Sequence, residues 1–158
     1  MTVYFASDHA GFNLKSMLMP FVHSLGHEVE DCGATVFNDG DDFPDYVLPC
    51  AQKVAQNKDS LGIVIGASGQ GEAMAANRVR GARAAVFYGD AAVAQTDEAG
   101  NILNLVQSVR AHNNANILSL GARFISDDAA KAAVHLFIDT PFSGDERHAR
   151  RIAKLDSL

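Results

Sequence analysis

Five short, mostly apolar segments alternate with segments of helical periodicity, and this alternation restricts the fold more than any other feature of the sequence. The segments typical of β-strands are Val3–Ser7, His27–Asp31, Leu61–Gly66, Arg83–Tyr88 and Asn116–Gly121. Such alternation favours a parallel sheet with helices on both faces, joined by right-handed crossovers. We therefore predict an α/β protein with a Rossmann-like, three-layer α/β/α sandwich and a five-stranded parallel sheet.

Helical periodicity and end signals define the segments between these strands. Gly26 is expected to end the first helix, and Pro20 inside that helix predicts a kink or an early end. Gly100 and Asn101 are a candidate break in a long helical stretch. The predicted helices are Phe12–Leu25, Asp45–Asn57, a short helix from Gly71, most of Asp90–Val109, Asp127–Asp139 and a last helix over residues 145–158.

The bulk properties of the chain exclude several classes of protein. Its 158 residues suit one domain over residues 1–158, and a hydrophobic content of 47% is enough for a sizeable core. The formal net charge of −6 argues against a nucleic-acid partner. No segment has the length of a membrane span and no signal segment opens the chain, so we expect a cytoplasmic protein with no membrane partner. Cys32 and Cys50 lack metal-ligand spacing, so we expect free thiols and no metal site.

A glycine-rich loop follows the third predicted strand and leads into a helix. Gly66, Gly69 and Gly71 allow a tight turn with exposed N–H groups, which favours an anion at the helix start. The loop has neither the Walker pattern nor the dinucleotide-binding spacing, so a nucleotide is not its natural ligand. Glu72 either complements the helix dipole or acts as a general base next to donors for a developing oxyanion.

Other polar residues lie where ligands bind in such folds, and each has a structural alternative. Asp8 and His9 follow the first strand at the carboxyl edge of the sheet, although Asp8 could simply cap the next helix. The Asn-rich segment Arg110–Asn116 contains a histidine suited to proton transfer, or it forms a polar turn. Arg147 and Arg151 are i, i+4 neighbours that form either a phosphate clamp or a solvated basic face.

Four separate motifs in collinear order resemble the ribose-5-phosphate isomerase B family, which includes galactose-6-phosphate isomerase subunits. The motifs are "SDHAGFNLK", "SGQGEAMAANRVRGARAA", "HNNANILSLGAR" and "RHARRI". The resemblance implies an aldose–ketose isomerase that interconverts ribose 5-phosphate and ribulose 5-phosphate through a cis-enediolate. It also implies that no metal or organic cofactor takes part, and that the protein is a homodimer, sometimes a tetramer, with a site shared between subunits.

The resemblance also implies roles for single residues. In one branch of the family a cysteine base stands at the position of Gly66, and in the other a glutamate base stands at the position of Glu72; this chain resembles the second branch. The neighbouring subunit is expected to supply His112, which helps to open the sugar ring, and Asn113, which assists His112. The remaining implied roles are sugar binding by Asp8 and His9, enediolate binding by Ser68 and the Gly69–Gly71 backbone, phosphate binding by Arg147 and Arg151, and an approach of Arg123 from across the interface.

Two departures from the family pattern concern the substrate. About ten extra residues stand between Tyr88 and Arg110, and we expect them to reshape the rim of the neighbouring site next to His112. Phe43 replaces a tyrosine that contacts sugar in the glutamate branch. The alternatives are therefore the same reaction on another pentose or hexose phosphate, or a non-catalytic sugar-phosphate-binding protein. The sequence does not assign a role to His148.

Overall fold

The computed structural model describes residues 1–89, 93, 95–97 and 99–157. Its strands are β1 (Thr2–Ser7), β2 (Glu28–Asp31), β3 (Ser60–Gly66), β4 (Ala84–Phe87), β5 (Gln95–Thr96), β6 (Ile102–Leu103) and β7 (Ile117–Gly121). Its helices are α1 (Phe12–Ser24), α2 (Pro44–Gln56), α3 (Gln70–Ala76), α4 (Leu105–Asn113), α5 (Asp127–Asp139) and α6 (Glu146–Asp156).

One parallel sheet of five strands forms the centre of the molecule, in the order β2, β1, β3, β7, β4. Helices α1, α4 and α5 pack on one face of the sheet, and α2 and α3 pack on the other. Every residue of the central strand β3 is buried, whereas the edge strand β2 alternates exposed and half-buried residues. The predicted three-layer sandwich with its five-stranded parallel sheet is confirmed.

The order of the strands leaves a crevice where ligands bind in folds of this class. Strand β1 lies between β2 and β3, so the connection from β1 to β2 through α1 and the connection from β2 to β3 through α2 run in opposite directions along the sheet, and the two helices lie on opposite faces. Such a reversal opens a crevice at the carboxyl ends of the strands. Gly66 at the end of β3 pairs with Gly121 at the end of β7, so the end of β7 borders the same crevice.

The prediction of a mostly helical segment over Asp90–Val109 is wrong for its described residues up to Asn104 and correct from Leu105 onward, where α4 begins. Strands β5 and β6 form an antiparallel hairpin, and the Asp97 carboxylate accepts hydrogen bonds from the backbone N–H groups of Ala99 (2.9 Å) and Asn101 (2.8 Å). Helix α4 begins only after Asn104, whose side chain caps it. The hydrogen bonds to the Asp97 side chain therefore determine the turn in this segment, although its composition favours a helix. Residues 90–92, 94 and 98 lie outside the described part of that prediction.

The other end signals act largely as expected. Pro20 does not shorten α1, which runs to Ser24, and Gly26 then adopts a φ of +90°, a conformation that favours glycine. Ser126 caps α5 by accepting a hydrogen bond from Ala129. Among the described residues, no helix combines the length and the apolarity that a membrane crossing requires.

Candidate active site

Glu72 is a buried acid at the end of the central strand. It lies in the first turn of α3, and only 4% of its surface is exposed. A Cβ built on Gly66 would lie 1.7 Å from Oε1 of Glu72 and 2.2 Å from its Cδ. The carboxylate therefore rests directly against the backbone of Gly66 and occupies the space that any side chain at residue 66 would need.

Burial changes the acidity of this group. Desolvation raises the pKa of Glu72, the negative charge of Asp8 raises it further, and a hydrogen bond from the backbone N–H of Glu72 opposes both effects. Desolvation disfavours the charged carboxylate because the interior solvates it less well than water does. A carboxylate with a raised pKa is a stronger base than an exposed one, which suits proton abstraction.

The loop before Glu72 is held tightly by its neighbours. Gly69 adopts a left-handed φ of +72°, and its carbonyl oxygen accepts a hydrogen bond of 2.6 Å from the Ser119 hydroxyl. A Cβ on Gly71 would lie 2.8 Å from the Phe43 ring, so that ring covers the loop. Ser68 is half-buried, and its hydroxyl accepts a hydrogen bond of 3.3 Å from Gln70. Packing therefore fixes the loop in one conformation.

Asp8 shapes the loop after β1 and also faces Glu72. Its Oδ1 accepts hydrogen bonds from the backbone N–H groups of Ala10 (3.0 Å) and Gly11 (3.3 Å), which precede α1, and no described side chain caps that helix, so the capping interpretation of Asp8 is wrong. A Cβ on Gly11 would lie 2.4 Å from the carbonyl oxygen of Ile65, so this loop is pressed against the end of β3. Asp8 is buried and raises the pKa of Glu72, so it belongs to the same site.

His9 is bound by an acid that the sequence analysis missed. Oδ1 of Asp41 accepts hydrogen bonds from the His9 backbone N–H (3.0 Å) and from the His9 ring at Nδ1 (2.7 Å). This hydrogen bond is the largest cause that raises the pKa of His9. Asp41 lies 32 residues away in an acidic loop, and the run "NDGDDFPD" is the signal that could have suggested it.

Asp8, His9 and Asp41 are the described residues that could hold a metal ion, since one ligand atom from each lies within 4.8 Å of the others. The 2.7 Å separation of His9 Nδ1 and Asp41 Oδ1 is that of a charge-assisted hydrogen bond. In the observed geometry His9 and Asp41 are therefore hydrogen-bonded to each other, while Asp8 accepts its hydrogen bonds from the backbone of Ala10 and Gly11.

Arg123 lies at the same edge of the sheet as the Glu72 of its own chain, and its approach from across a subunit interface stays an expectation. It directly follows β7, and its backbone N–H donates a 3.1 Å hydrogen bond to the carbonyl oxygen of Ala67. Its positive charge lowers the pKa of His9, which shows that the two side chains are close. The physical reason is that parallel strands end at one edge of the sheet.

His112 and Asn113 lie at the opposite edge. They form the last turn of α4, which ends at Asn113. The prediction of a polar turn over Arg110–Asn116 is therefore correct only from Asn114 onward, where the backbone leaves the helix with a φ of 46°. His112 is half-buried, and its Nδ1 lies 3.3 Å from the hydroxyl of Ser108. The described part of the extra segment therefore joins α4 at the end of this helix that is opposite His112, and its effect on the rim of a neighbouring site stays an expectation.

Helix α6 brings two of the predicted arginines to His112. The His148 ring is buried and lies 4.5 Å from the His112 ring, centroid to centroid. Burial lowers the pKa of His148, and the charges of His112, Arg147 and Arg151 lower it further. Arg147 is half-buried and Arg151 is exposed. His148 of α6 thus packs against His112 of α4, and Arg147 and Arg151 lie on the same helix near His148.

The predicted site residues therefore form two groups within one chain. The crevice group is Asp8, His9, Ser68, Gly69, Gly71, Glu72 and Arg123, and the helix group is His112, Asn113, Arg147 and Arg151. Strand β7 separates the groups, because it starts beside the end of α4 and ends beside Gly66. Its five residues rise about 3.3 Å each, which places the groups on the order of 15 Å apart.

Comparison with known proteins identifies the family. The sequence model described as Ribose/Galactose Isomerase matches residues 3–155. The chain belongs to this family. Among curated proteins it is 40% identical over 152 residues to ribose-5-phosphate isomerase B of Mycolicibacterium paratuberculosis, covering 96% of this chain and 87% of that protein.

Solved structures agree with this assignment. The structure of ribose-5-phosphate isomerase B from Mycoplasma genitalium with bound ribulose-5-phosphate matches with a TM-score of 0.86 at 35% identity, covering 99% of this chain and 94% of that one. The Thermotoga maritima enzyme matches with a TM-score of 0.83 at 37% identity, covering 99% and 98%. The fold and the length of this isomerase are therefore those of its family.

The contact between Glu72 and Gly66 can be interpreted in terms of the family. The resemblance described above implies a base at residue 66 in one branch and at residue 72 in the other. In this isomerase the carboxylate of Glu72 fills the space beside Gly66, so the two positions lead to one point in the crevice. A side chain at residue 66 and the observed position of Glu72 exclude each other.

Proposed function

We propose that this chain interconverts ribose 5-phosphate and ribulose 5-phosphate through a cis-enediolate, with Glu72 carrying the proton between C1 and C2. The observation that carries the proposal is the buried Glu72 carboxylate, held against Gly66 at the crevice of the sheet. The names of the relatives and the Mycoplasma genitalium structure with bound ribulose-5-phosphate support the choice of substrate. The proposed steps use side chains and backbone groups of the chain, without a metal or an organic cofactor.

Glu72 must be ionised when the sugar arrives and protonated halfway through the reaction. Burial raises its pKa and so brings these two states closer in free energy near neutral pH, which favours reversible proton transfer. Ser68 and the backbone N–H groups of the Gly69–Gly71 loop would hold the enediolate oxygen. One such donor is worth roughly a hundredfold to a thousandfold in rate, and the tight packing of the loop keeps these donors in place.

The remaining residues bind the sugar phosphate and open its ring. In this proposal Asp8 and His9 contact the sugar, and Arg123 adds positive charge at the same edge. The helix group supplies the ring-opening residue His112, assisted by Asn113, and the phosphate ligands Arg147 and Arg151. A planar guanidinium fork matches a phosphate group well, so two of them form a strong clamp.

We further propose that the active protein is a homodimer in which the helix group of one subunit completes the crevice of the other. The separation of the two groups by the length of β7 supports this, because one sugar phosphate cannot contact both groups of a single chain. The exposed Arg151 and Asn113 remain accessible to such a partner.

The whole chain is assigned to one isomerase domain, residues 1–158, in which α6 contributes the phosphate-binding arginines. The match of the family model over residues 3–155 supports this assignment. We place the enzyme in the cytoplasm, because Cys32 and Cys50 are both free thiols and disulfides are rare in reducing compartments.

An isomerase assay on a panel of phosphorylated sugars tests the proposal. We expect turnover of ribose 5-phosphate to exceed that of allose 6-phosphate and galactose 6-phosphate. Phe43 covers Gly71 at the crevice and has no hydroxyl group to offer a sugar. A preference for a hexose phosphate would change the proposed substrate but not the proposed reaction. Absence of isomerisation with every sugar of the panel would contradict the proposal.

A further inference from the structure

The contact between His9 and Asp41 joins two loops that the proposed mechanism treats separately. One oxygen of Asp41 accepts both the backbone N–H and the ring Nδ1 of His9, at 3.0 Å and 2.7 Å. The first bond fixes the main chain at the end of β1, and the second fixes the rotation of the ring. Because Nδ1 faces Asp41, Nε2 lies on the opposite side of the imidazole.

The two side chains in this contact differ in burial. The side chain of Asp41 is 3% exposed, whereas that of His9 is 30% exposed. The second oxygen of Asp41, Oδ2, is buried, and the hydroxyl of Tyr46 stabilises the carboxylate and lowers its pKa. A buried carboxylate is costly unless a positive charge stands beside it. His9 is the group in position to supply that charge.

The charges around His9 decide its protonation. The hydrogen bond from Asp41 raises the pKa of His9, and the charges of Asp8 and Asp41 raise it further; burial and the charge of Arg123 lower it. Burial alone would raise the pKa of Asp41, but the hydrogen bonds and the charge of His9, together with a hydrogen bond from Tyr46, lower that pKa overall. Tyr46 is the titratable group that faces Asp41 from α2, and its own pKa is raised.

We propose that Asp41 is a positioning residue that holds His9 as an imidazolium, so that Nε2–H presents a charged donor to the phosphorylated sugar. The inference rests on the proposed function, in which His9 contacts that sugar. Asp41 acts only through His9, and neutral His9 would offer a weaker donor or an acceptor. Substrate binding should therefore depend on Asp41 most at a pH at which His9 would lose its proton without Asp41.

The variant Asp41→Asn tests this, because the amide oxygen can still accept the two hydrogen bonds but carries no charge. Asp39→Asn is the matched control, since Asp39 is exposed in the same loop. We expect KM for ribose 5-phosphate to rise about tenfold in Asp41→Asn at pH 8.5, the order of one charge-assisted hydrogen bond, and to approach the wild-type value near pH 6. A KM ratio that is constant across pH would overturn the proposal, because a purely structural role of Asp41 predicts it.

A titration of His9 by NMR in the ligand-free protein gives a second readout, with the resonance assigned by its loss in His9→Gln. We expect the midpoint of His9 to fall in Asp41→Asn and to stay unchanged in Asp39→Asn. If Asp41→Asn does not fold, the wild-type titration decides: a His9 midpoint no higher than that of exposed His23 overturns the proposal. Failure of the wild type to isomerise any sugar phosphate refutes the proposed function alone, because this titration needs no substrate.

Discussion

Replacing Gly66 with alanine places one methyl group where the Glu72 carboxylate lies. The new Cβ would stand 1.7 Å from Oε1, whereas ordinary non-bonded contacts of this kind are about 3.5 Å. The carboxylate must therefore move by more than 1 Å. Gly66 does not have a positive φ, so the backbone itself accepts alanine and the clash with Glu72 is the main perturbation.

A displacement of this size has a large effect on catalysis. A misplacement of about 1 Å costs on the order of a hundredfold in rate, so we expect kcat of Gly66→Ala to fall by at least about a hundredfold. Overpacking of a buried site costs about 1–3 kcal/mol in the free energy of unfolding. The loss of kcat should exceed any change in KM, because Glu72 is proposed to act on the reacting carbons and not on the phosphate.

The assays are steady-state isomerisation of ribose 5-phosphate and urea unfolding. Gly62→Ala is the matched control in the same strand, where a Cβ would meet the apolar atoms of Val54 and Ile117 at 3.0 and 3.1 Å. It should lose some stability while keeping kcat. A second background separates the effects: with Glu72→Ala already present, Gly66→Ala should cost little further stability. Gly66→Ala with wild-type kcat would refute the argument that the carboxylate must rest against this glycine.

Three further predictions concern Glu72, the shared site and a buried ion pair. Glu72→Gln should abolish turnover but still bind ribose 5-phosphate in calorimetry, and retained turnover would contradict the role of a base. In the wild type, the free energy of unfolding should fall as the pH rises from the unfolded pKa of Glu72 through its raised folded pKa, and Glu72→Gln should remove this fall. Glu72→Gln and His112→Asn, each inactive alone, should regain activity when mixed under verified subunit exchange, and no recovery would count against a site shared by two subunits. Lys15→Met should cost about 3 kcal/mol in unfolding free energy, because Lys15 is 1% exposed and donates 2.6 Å hydrogen bonds to Asp31 and to a backbone carbonyl. Lys53→Met is its control, since that ion pair is exposed and should contribute much less; equal losses would refute the argument from burial.

Local sequence patterns predict most of this fold, because the strands that form its core are unambiguous. The run Leu61–Gly66 is continuously apolar and proves to be the buried central strand. The hairpin of β5 and β6 was missed for an opposite reason. Its strands have two residues each, too few for a period to be visible, and the Asp97 turn that joins them uses residues that also occur in helices.

The candidate site was predictable where the rule of strand ends applies. Asp8 and Glu72 follow strands of the sheet and lie together at its carboxyl edge. The same rule places Arg123 at that edge. Asp41 could not be predicted in this way, because its partner His9 is 32 residues away and nothing local in an acidic loop selects one carboxylate.

The contact between Glu72 and Gly66 restricts how such an enzyme can change its base during evolution. A lineage that gained a side chain at residue 66 first would carry two crowded groups, and one that lost the acid first would pass through an inactive ancestor. Either single step is penalised, so the two substitutions must arise nearly together. A conversion between the two kinds of catalyst should therefore be a rare event that divides the family tree once or a few times.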